Sequence, residues 1–184
     1  MTKSWICFMV IKKALFLDRD GIINIDKNYL YKIEDFEFID GIFELVSLFV
    51  KNDYLIFIVT NQSGIGREYY TLEEFTVLMQ WVTKAFQEKD ITIEKTLFCP
   101  HIPTDNCQCR KPKTKMIDEI LKKYTIDLKN SFMIGDKQSD IDLAQNSHIG
   151  TSIAIGKNNI INSGYHFLTI QECLGSILSN KISI

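Results

Sequence analysis

The hydrophobic positions along the chain form short continuous runs separated by longer stretches of helical spacing. Residues 14–17 and 54–59 are uniformly apolar, as suits strands buried on both faces of a parallel sheet. Residues 91–98, 131–134 and 151–155 read as three further strands. Between these runs the apolar residues recur at intervals of three and four. Ile42, Leu45, Val46 and Phe49 mark one helix, and Phe75, Leu78, Val82 and Phe86 mark a second, opened by the capping pair Thr71 and Glu74. Residues 114–124 suit a helix that buries Ile117, Ile120, Leu121 and Tyr124, and residues 140–146 suit another. Thr169 and Glu172 form a second capping box, for a last helix carrying Leu174, Ile177 and Leu178. Phe36-Glu37-Phe38 is a short alternating piece, and residues 60–67 are a polar, glycine-bearing loop. Strands alternating with helices predict an α/β fold: right-handed crossovers and a mainly parallel sheet with helices on both faces.

The polar residues at the strand ends carry the candidate chemistry. The first strand runs into Asp18-Arg19-Asp20-Gly21, whose two carboxylates point the same way at strand spacing, while Gly21 permits a sharp turn. The second strand ends in Thr60-Asn61, the fourth in Gly135-Asp136, and Lys111 precedes a helix. A polar loop after a strand is ordinary. Together at one sheet edge, these groups supply what phosphoryl transfer needs: a carboxylate nucleophile, a proton donor, phosphate-binding donors, a lysine and an acidic metal ligand.

Composition narrows the class. A chain of 184 residues with 46% hydrophobic and 24% charged residues suits one soluble domain, residues 1–184. A net charge of −2 gives no general attraction to nucleic acid or to an anionic membrane. Residues 5–11 are apolar, but seven residues are too few to span a bilayer, and no small-residue cleavage site follows. Residues 1–10 are read as an extension of unknown role, with Met9 an alternative start. The expected location is the cytoplasm and the expected state a monomer.

Of the five cysteines, Cys7 and Cys173 stand alone in apolar surroundings and read as small buried hydrophobes. Cys99, Cys107 and Cys109 cluster with His101. Three thiolates and an imidazole complete a tetrahedral Zn²⁺ site with no open position, so the expected zinc is structural. Arg110-Lys111 follows directly, and the metal would hold both cations toward the candidate site.

These residues resemble the haloacid dehalogenase superfamily of phosphatases, whose four motifs match between Leu17 and Asp140. The resemblance implies a Rossmann-like three-layer sandwich. It implies that Asp18 attacks phosphorus, and that Asp20 protonates the leaving oxygen and then activates water. Thr60 hydroxyl and the Asn61 backbone would hold phosphoryl oxygens, and Lys111 would offset negative charge. Mg²⁺ would bind Asp18, the Asp20 carbonyl and Asp136. Asp140 would cap the following helix or support the metal site. About forty residues separate Asp20 from Thr60, too few for the cap domain of many relatives.

A zinc loop followed by Arg-Lys-Pro resembles two branches, the heptose 1,7-bisphosphate phosphatases and the histidinol-phosphate phosphatases. Asp18 to Asn24, Tyr29, residues 36–41, Asn61-Gln62-Ser63-Gly64-Ile65 and Lys137 resemble the first. The five-residue gap between His101 and Cys107 resembles the second. In the heptose reading Arg110 and Lys137 grip the substrate, Asp26, Lys27, Asn28 and Tyr29 contact the sugar, and Gln62 and Ser63 line the loop. Arg67 is equally a cation for a bisphosphate or a solvated side chain, and Asp26 is equally a substrate contact or a solvated surface residue. His148 and His166 are assigned to neither site. A small-molecule sugar phosphate is the expected partner. A DNA 3'-phosphatase shares the Asp18 and Thr60 motifs but calls for a basic groove, and a non-catalytic zinc module would leave the acid set unused.

Overall fold

The computed structural model describes residues 11–184. The expectations for residues 1–10, including Cys7 and the alternative start at Met9, lie outside the described residues.

Six strands form one parallel sheet: β1 (Lys13–Leu17), β2 (Tyr54–Asn61), β3 (Ile93–Cys99), β4 (Phe132–Gly135), β5 (Thr151–Ile155) and β6 (Tyr165–Phe167). Their order is β3-β2-β1-β4-β5-β6, so the chain winds outward one way from β1 and the other way from β4. The carboxyl ends of these two central strands therefore flank the reversal point, where α/β sheets open a ligand crevice.

The helices are α1 (Ile42–Lys51), α2 (Ser63–Gly66), α3 (Leu72–Gln87), α4 (Lys115–Leu121), α5 (Gln138–Asn146) and α6 (Ile170–Leu178). Alternate residues of β1 feed two cores. Leu15 and Leu17 pack with Ile42, Leu45, Phe75, Leu78 and Ile170, from α1, α3 and α6. Ala14 and Phe16 pack on the other face with Met116, Ile117, Ile120 and Leu143, from α4 and α5. Both faces of the strand are thus dry, which is why its sequence lacks polar alternation.

Thr71 and Glu74 form the expected capping box on α3, with Glu74 N–H donating to Thr71 Oγ1 at 3.1 Å and Thr71 N–H to Glu74 Oε2 at 2.7 Å. Several expectations need correction. At α6 the box is half made: Thr169 caps Glu172, but the Glu172 carboxylate takes the Leu168 N–H instead. The third strand begins at Ile93, because Ile91 packs into the core before the strand starts. The helix after the zinc loop ends at Leu121, which is 37% exposed. Strand β6 has no expected counterpart; it is a three-residue edge strand with Tyr165 and His166 exposed, so it carries little hydrophobic pattern.

Residues 18–41 stay close to the sheet edge. Ile39 N–H donates to Ile23 O at 2.9 Å and Ile25 N–H to Glu37 O at 3.0 Å, so Phe36-Glu37-Phe38 folds back on the turn after β1. Phe36 and Phe38 then pack against Trp81 of α3. No separate layer stands over the crevice among the described residues.

Candidate active site

The crevice is a cleft of about 250 Å³ lined by residues from four strand-end loops. Asp18 leaves β1 tied to β4, its N–H donating to Ile134 O at 3.0 Å. Its Oδ1 accepts the Arg19 N–H at 2.8 Å and lies 2.8 Å from the Lys111 ammonium. Lys111 is almost fully buried and also meets Asp140 Oδ1 at 2.6 Å and Val59 O at 2.8 Å. Burial alone would lower its pKa, but the Asp140 and Asp18 charges outweigh that and hold it above the usual lysine range. The Asn61 carboxamide brackets the Lys111 peptide: Oδ1 accepts its N–H at 3.0 Å, and Nδ2 donates to its carbonyl at 3.4 Å. One asparagine thus couples the β2 loop to the end of the zinc loop.

Asp20, which lines the same cleft, sits in a clamp of donors. Arg19, fully buried, gives Nη2 to Oδ1 at 2.7 Å and Nε to Oδ2 at 3.1 Å; Asn24 Nδ2 reaches Oδ1 at 3.1 Å, and Gln62 Nε2 reaches Oδ2 at 3.0 Å. Burial would raise its pKa, yet the Arg19 charge and these hydrogen bonds bring it below the usual carboxylate value. Gln62 Nε2 also donates to Thr60 Oγ1 at 2.9 Å, and Tyr70 O–H donates to Gln62 Oε1 at 2.6 Å. Thr60 keeps its own hydroxyl hydrogen for another acceptor.

Asp18, Asp136 and Asp140 each offer a carboxylate oxygen within 4.8 Å of the others. Burial first, and then the Asp18, Asp140 and Asp26 charges, push Asp136 up to about 7 against the pull of Lys137. Asp136 Oδ1 is buried without a hydrogen-bond partner, and the Lys137 ammonium stands 3.8 Å away. An all-oxygen set with an orphaned, repelled carboxylate fits a hard divalent cation such as Mg²⁺. Gly21 explains the approach: at φ +84° it turns the chain, and a Cβ there would stand 2.4 Å from Asp136 Oδ2. Asp140 caps the following helix as expected, accepting the Lys137 N–H at 3.0 Å, and it also holds Lys111.

The cysteine cluster assembles beside the cleft. Cys99 Sγ lies 3.4 Å from Cys107 Sγ and 3.0 Å from Cys109 Sγ, and His101 Nδ1 lies 3.2 Å from Cys109 Sγ and 3.7 Å from Cys99 Sγ. A tetrahedral zinc with bonds of about 2.0–2.3 Å spaces its ligands about 3.5–3.8 Å apart, close to this arrangement. Burial pushes the Cys99 thiol up, and its bond with Cys109 adds to that, whereas contacts with Cys99 and the backbone lower Cys107. Lys113 Nζ donates to Cys107 O at 2.6 Å and Arg110 to His101 O at 3.3 Å, so two cations brace the loop backbone.

Of the expected substrate residues, Asp26, Asn28, Tyr29, Asn61, Gln62, Ser63, Arg110 and Lys137 line the cleft. Lys27 does not: its ammonium is held outside by Glu37 at 2.6 Å and Asp35 O at 2.9 Å. Ser63 to Gly66 form helix α2 rather than open loop: Arg67 N–H donates to Ser63 O at 3.0 Å, and Gly66 N–H ties the turn to Pro100 O at 2.9 Å. Lys137 Nζ meets Asp26 Oδ2 at 3.2 Å across the cleft. Arg67 stands at the rim, 6.0 Å from the Tyr29 ring, and Tyr69 meets that ring edge-on. His148 and His166 do not line the cleft. Arg19, Asn24, Tyr70 and Ser139 were not expected; Arg19 and Asn24 sit inside the aspartate motif, whereas Tyr70 carries no signal beyond its place before a helix cap.

Comparison with known proteins agrees with this geometry. The family described as polynucleotide kinase 3 phosphatase matches residues 14–165. D-glycero-alpha-D-manno-heptose-1,7-bisphosphate 7-phosphatase of Campylobacter jejuni is 52% identical over 145 residues, 79% of this chain and 83% of its own. D-glycero-beta-D-manno-heptose-1,7-bisphosphate 7-phosphatase of Helicobacter pylori is 46% identical over 151 residues, 82% of this chain and 87% of its own. The crystal structure of D,D-heptose 1,7-bisphosphate phosphatase from B. bronchiseptica, complexed with magnesium and phosphate, superimposes with a TM-score of 0.78 at 21% identity. It covers 91% of this chain and 99% of that one, and it supports the fold. By the family match and these relatives, the chain belongs to the polynucleotide kinase 3 phosphatase family of haloacid-dehalogenase-type phosphatases.

Proposed function

We propose that the protein is a Mg²⁺-dependent phosphatase that removes the 7-phosphate of D-glycero-D-manno-heptose 1,7-bisphosphate through an aspartyl-phosphate on Asp18. One observation carries the mechanism: a buried lysine fixes Asp18 at the reversal point of the sheet, with Asp20 and Asp136 on the flanking loops. The substrate rests on the relatives that bear this name, and since both anomers occur among them, the proposal is for the heptose bisphosphate as such.

In the first step Asp18 attacks phosphorus. Lys111 and the Arg19 N–H both rest on Oδ1, so Oδ2 is the oxygen we assign to the new bond. The Asp20 carboxyl gives its proton to the leaving sugar oxygen, and the arriving phosphate charge beside it favours the protonated form needed for that step. In the second step the Asp20 carboxylate takes a proton from water, the resulting hydroxide attacks phosphorus, and phosphate leaves with Asp18 regenerated. Thr60 hydroxyl and the Asn61 N–H would hold phosphoryl oxygens, and Lys111 would offset their charge. Asp18, the Asp20 carbonyl and Asp136 would hold Mg²⁺, which supplies charge neutralisation and alignment at the phosphate. Cys99, His101, Cys107 and Cys109 would hold a structural Zn²⁺ that sets Arg110 and Lys111 in place.

Asp26, Asn28, Tyr29, Gln62, Ser63, Arg110 and Lys137 would contact the substrate. We further propose one domain, a monomer in the cytoplasm, acting on neither nucleic acid nor membrane. That Cys99, Cys107, Cys109 and Cys173 form no disulfide, together with the net charge of −2, supports this. No helix among the described residues is long and apolar enough to cross a membrane. The test is phosphate release at equal concentrations from heptose 1,7-bisphosphate, histidinol phosphate and an oligonucleotide bearing a 3'-phosphate. The first should be strongly preferred; preference for either of the others overturns the assignment.

A further inference from the structure

We propose that Tyr70 is a positioning residue that acts on Asp20 through Gln62. The phenol is nearly buried and its O–H donates to Gln62 Oε1 at 2.6 Å; Gln62, equally buried, presents Nε2 to Asp20 Oδ2 at 3.0 Å and to Thr60 Oγ1 at 2.9 Å. A carboxamide has one donor end and one acceptor end. Turned over, it would set Oε1 against the Asp20 carboxylate, oxygen against oxygen. The acceptor-only Asp20 carboxylate takes the donor end, and the tyrosine hydroxyl anchors the other end by donating to Oε1.

The ring itself is firmly placed. Tyr31 stacks on it at 5.2 Å and 17°, and Gly64 gives it room, since a Cβ there would stand 2.1 Å from Tyr70 Cε1. Two of the donors to Asp20, Arg19 and Asn24, come from its own turn, and Gln62 is the donor that comes from the loop after β2. The Tyr70 to Gln62 bond therefore ties the position of Asp20 to the loop that would hold the phosphoryl group. Removing the hydroxyl leaves Oε1 without its anchor, so the amide shifts in place and the carboxyl that moves the proton is held less firmly. Substrate contacts made elsewhere in the cleft are untouched. The expected signature is a fall in kcat with KM unchanged.

This inference rests on the roles proposed above for Asp18 and Asp20. Tyr70→Phe keeps the stacked ring and removes the hydroxyl. With heptose 1,7-bisphosphate and with p-nitrophenyl phosphate, its kcat should fall about three- to tenfold, the factor that a neutral hydrogen bond typically supports, with KM within about twofold. In a Gln62→Leu background the same change should leave kcat where Gln62→Leu alone put it. The side-chain amide resonances of Gln62 should also shift in the Tyr70→Phe protein. An unchanged kcat, a rise confined to KM, or an equal fall in both backgrounds overturns the proposal. Asp20→Asn is measured alongside. If it is inactive while Tyr70→Phe is normal, this inference alone fails; if Asp20→Asn is fully active, the catalytic assignment fails and takes the inference with it.

Discussion

Lys111→Met is the substitution whose consequences the structure defines most fully. Methionine keeps the apolar stem and removes an ammonium that meets Asp18 at 2.8 Å, Asp140 at 2.6 Å and Val59 O at 2.8 Å. Asp140 is 0% exposed, so the change leaves a carboxylate in the interior without its cation. Breaking a buried pair from one side costs about 3–5 kcal/mol. For a chain of this length about 2–4 °C of Tm follows each kcal/mol, so a fall of roughly 6–20 °C near neutral pH is expected. The loss also carries a pH signature. Burial already lifts Asp140 to about 6 from its ordinary 3.8 even with Lys111 beside it, and without the lysine it rises further. A carboxyl that holds its proton more tightly when folded than unfolded favours the folded state at low pH. That advantage disappears, and the protein weakens, as pH climbs through the folded pKa. The deficit of the variant should therefore be largest near pH 8 and shrink toward pH 5. Urea midpoints of variant and parent across that range measure it, and adding Asp140→Asn should recover part of the stability. A deficit that is flat with pH, or that grows toward pH 5, refutes the reasoning.

Other changes test other parts of the account. Stripping zinc with a chelator, or Cys107→Ser, should lower Tm and cost about a hundredfold in kcat/KM, because the loop that carries Arg110 and Lys111 loses its anchor; added Zn²⁺ and not Mg²⁺ should restore the stripped enzyme, which zinc content and assay together establish. Gly21→Ala places a Cβ 2.4 Å from Asp136 Oδ2 at a φ of +84°, and should raise the Mg²⁺ concentration for half-maximal activity while costing about 1–3 kcal/mol of stability. Lys27→Ala should change kcat/KM by less than about twofold and stability by less than about 1 kcal/mol, because the side chain pairs with Glu37 at the surface and not with substrate.

The parts of this protein that the sequence announced are those set by local rules. Continuous apolar runs identified the central strands, and Thr71 with Glu74 marked the start of α3. The spacing of Cys99, His101, Cys107 and Cys109 anticipated a cluster whose sulfur and nitrogen atoms now stand within about ligand distance. What stayed hidden depends on contacts between distant segments. Tyr70 is a tyrosine like any other until Gln62 is found beneath its hydroxyl. Asn61 bonds the Lys111 peptide across fifty positions, which no window along the chain reveals. Lys27 sits within the segment expected at the sugar, but its side chain follows Glu37 instead, since neighbours in sequence need not share a direction. Strand β6 is short, exposed and at the sheet edge, so the hydrophobic pattern that marked the other strands had nothing to record.

The measurement that tests the central claim most directly follows heptose 1,7-bisphosphate by ³¹P NMR with the Mg²⁺-loaded enzyme and with Asp18→Asn. The account predicts that the native enzyme converts the 7-phosphate signal to inorganic phosphate while the 1-phosphate signal persists, and that Asp18→Asn leaves both signals unchanged. Loss of the 1-phosphate first, or turnover by Asp18→Asn at the native rate, would contradict it.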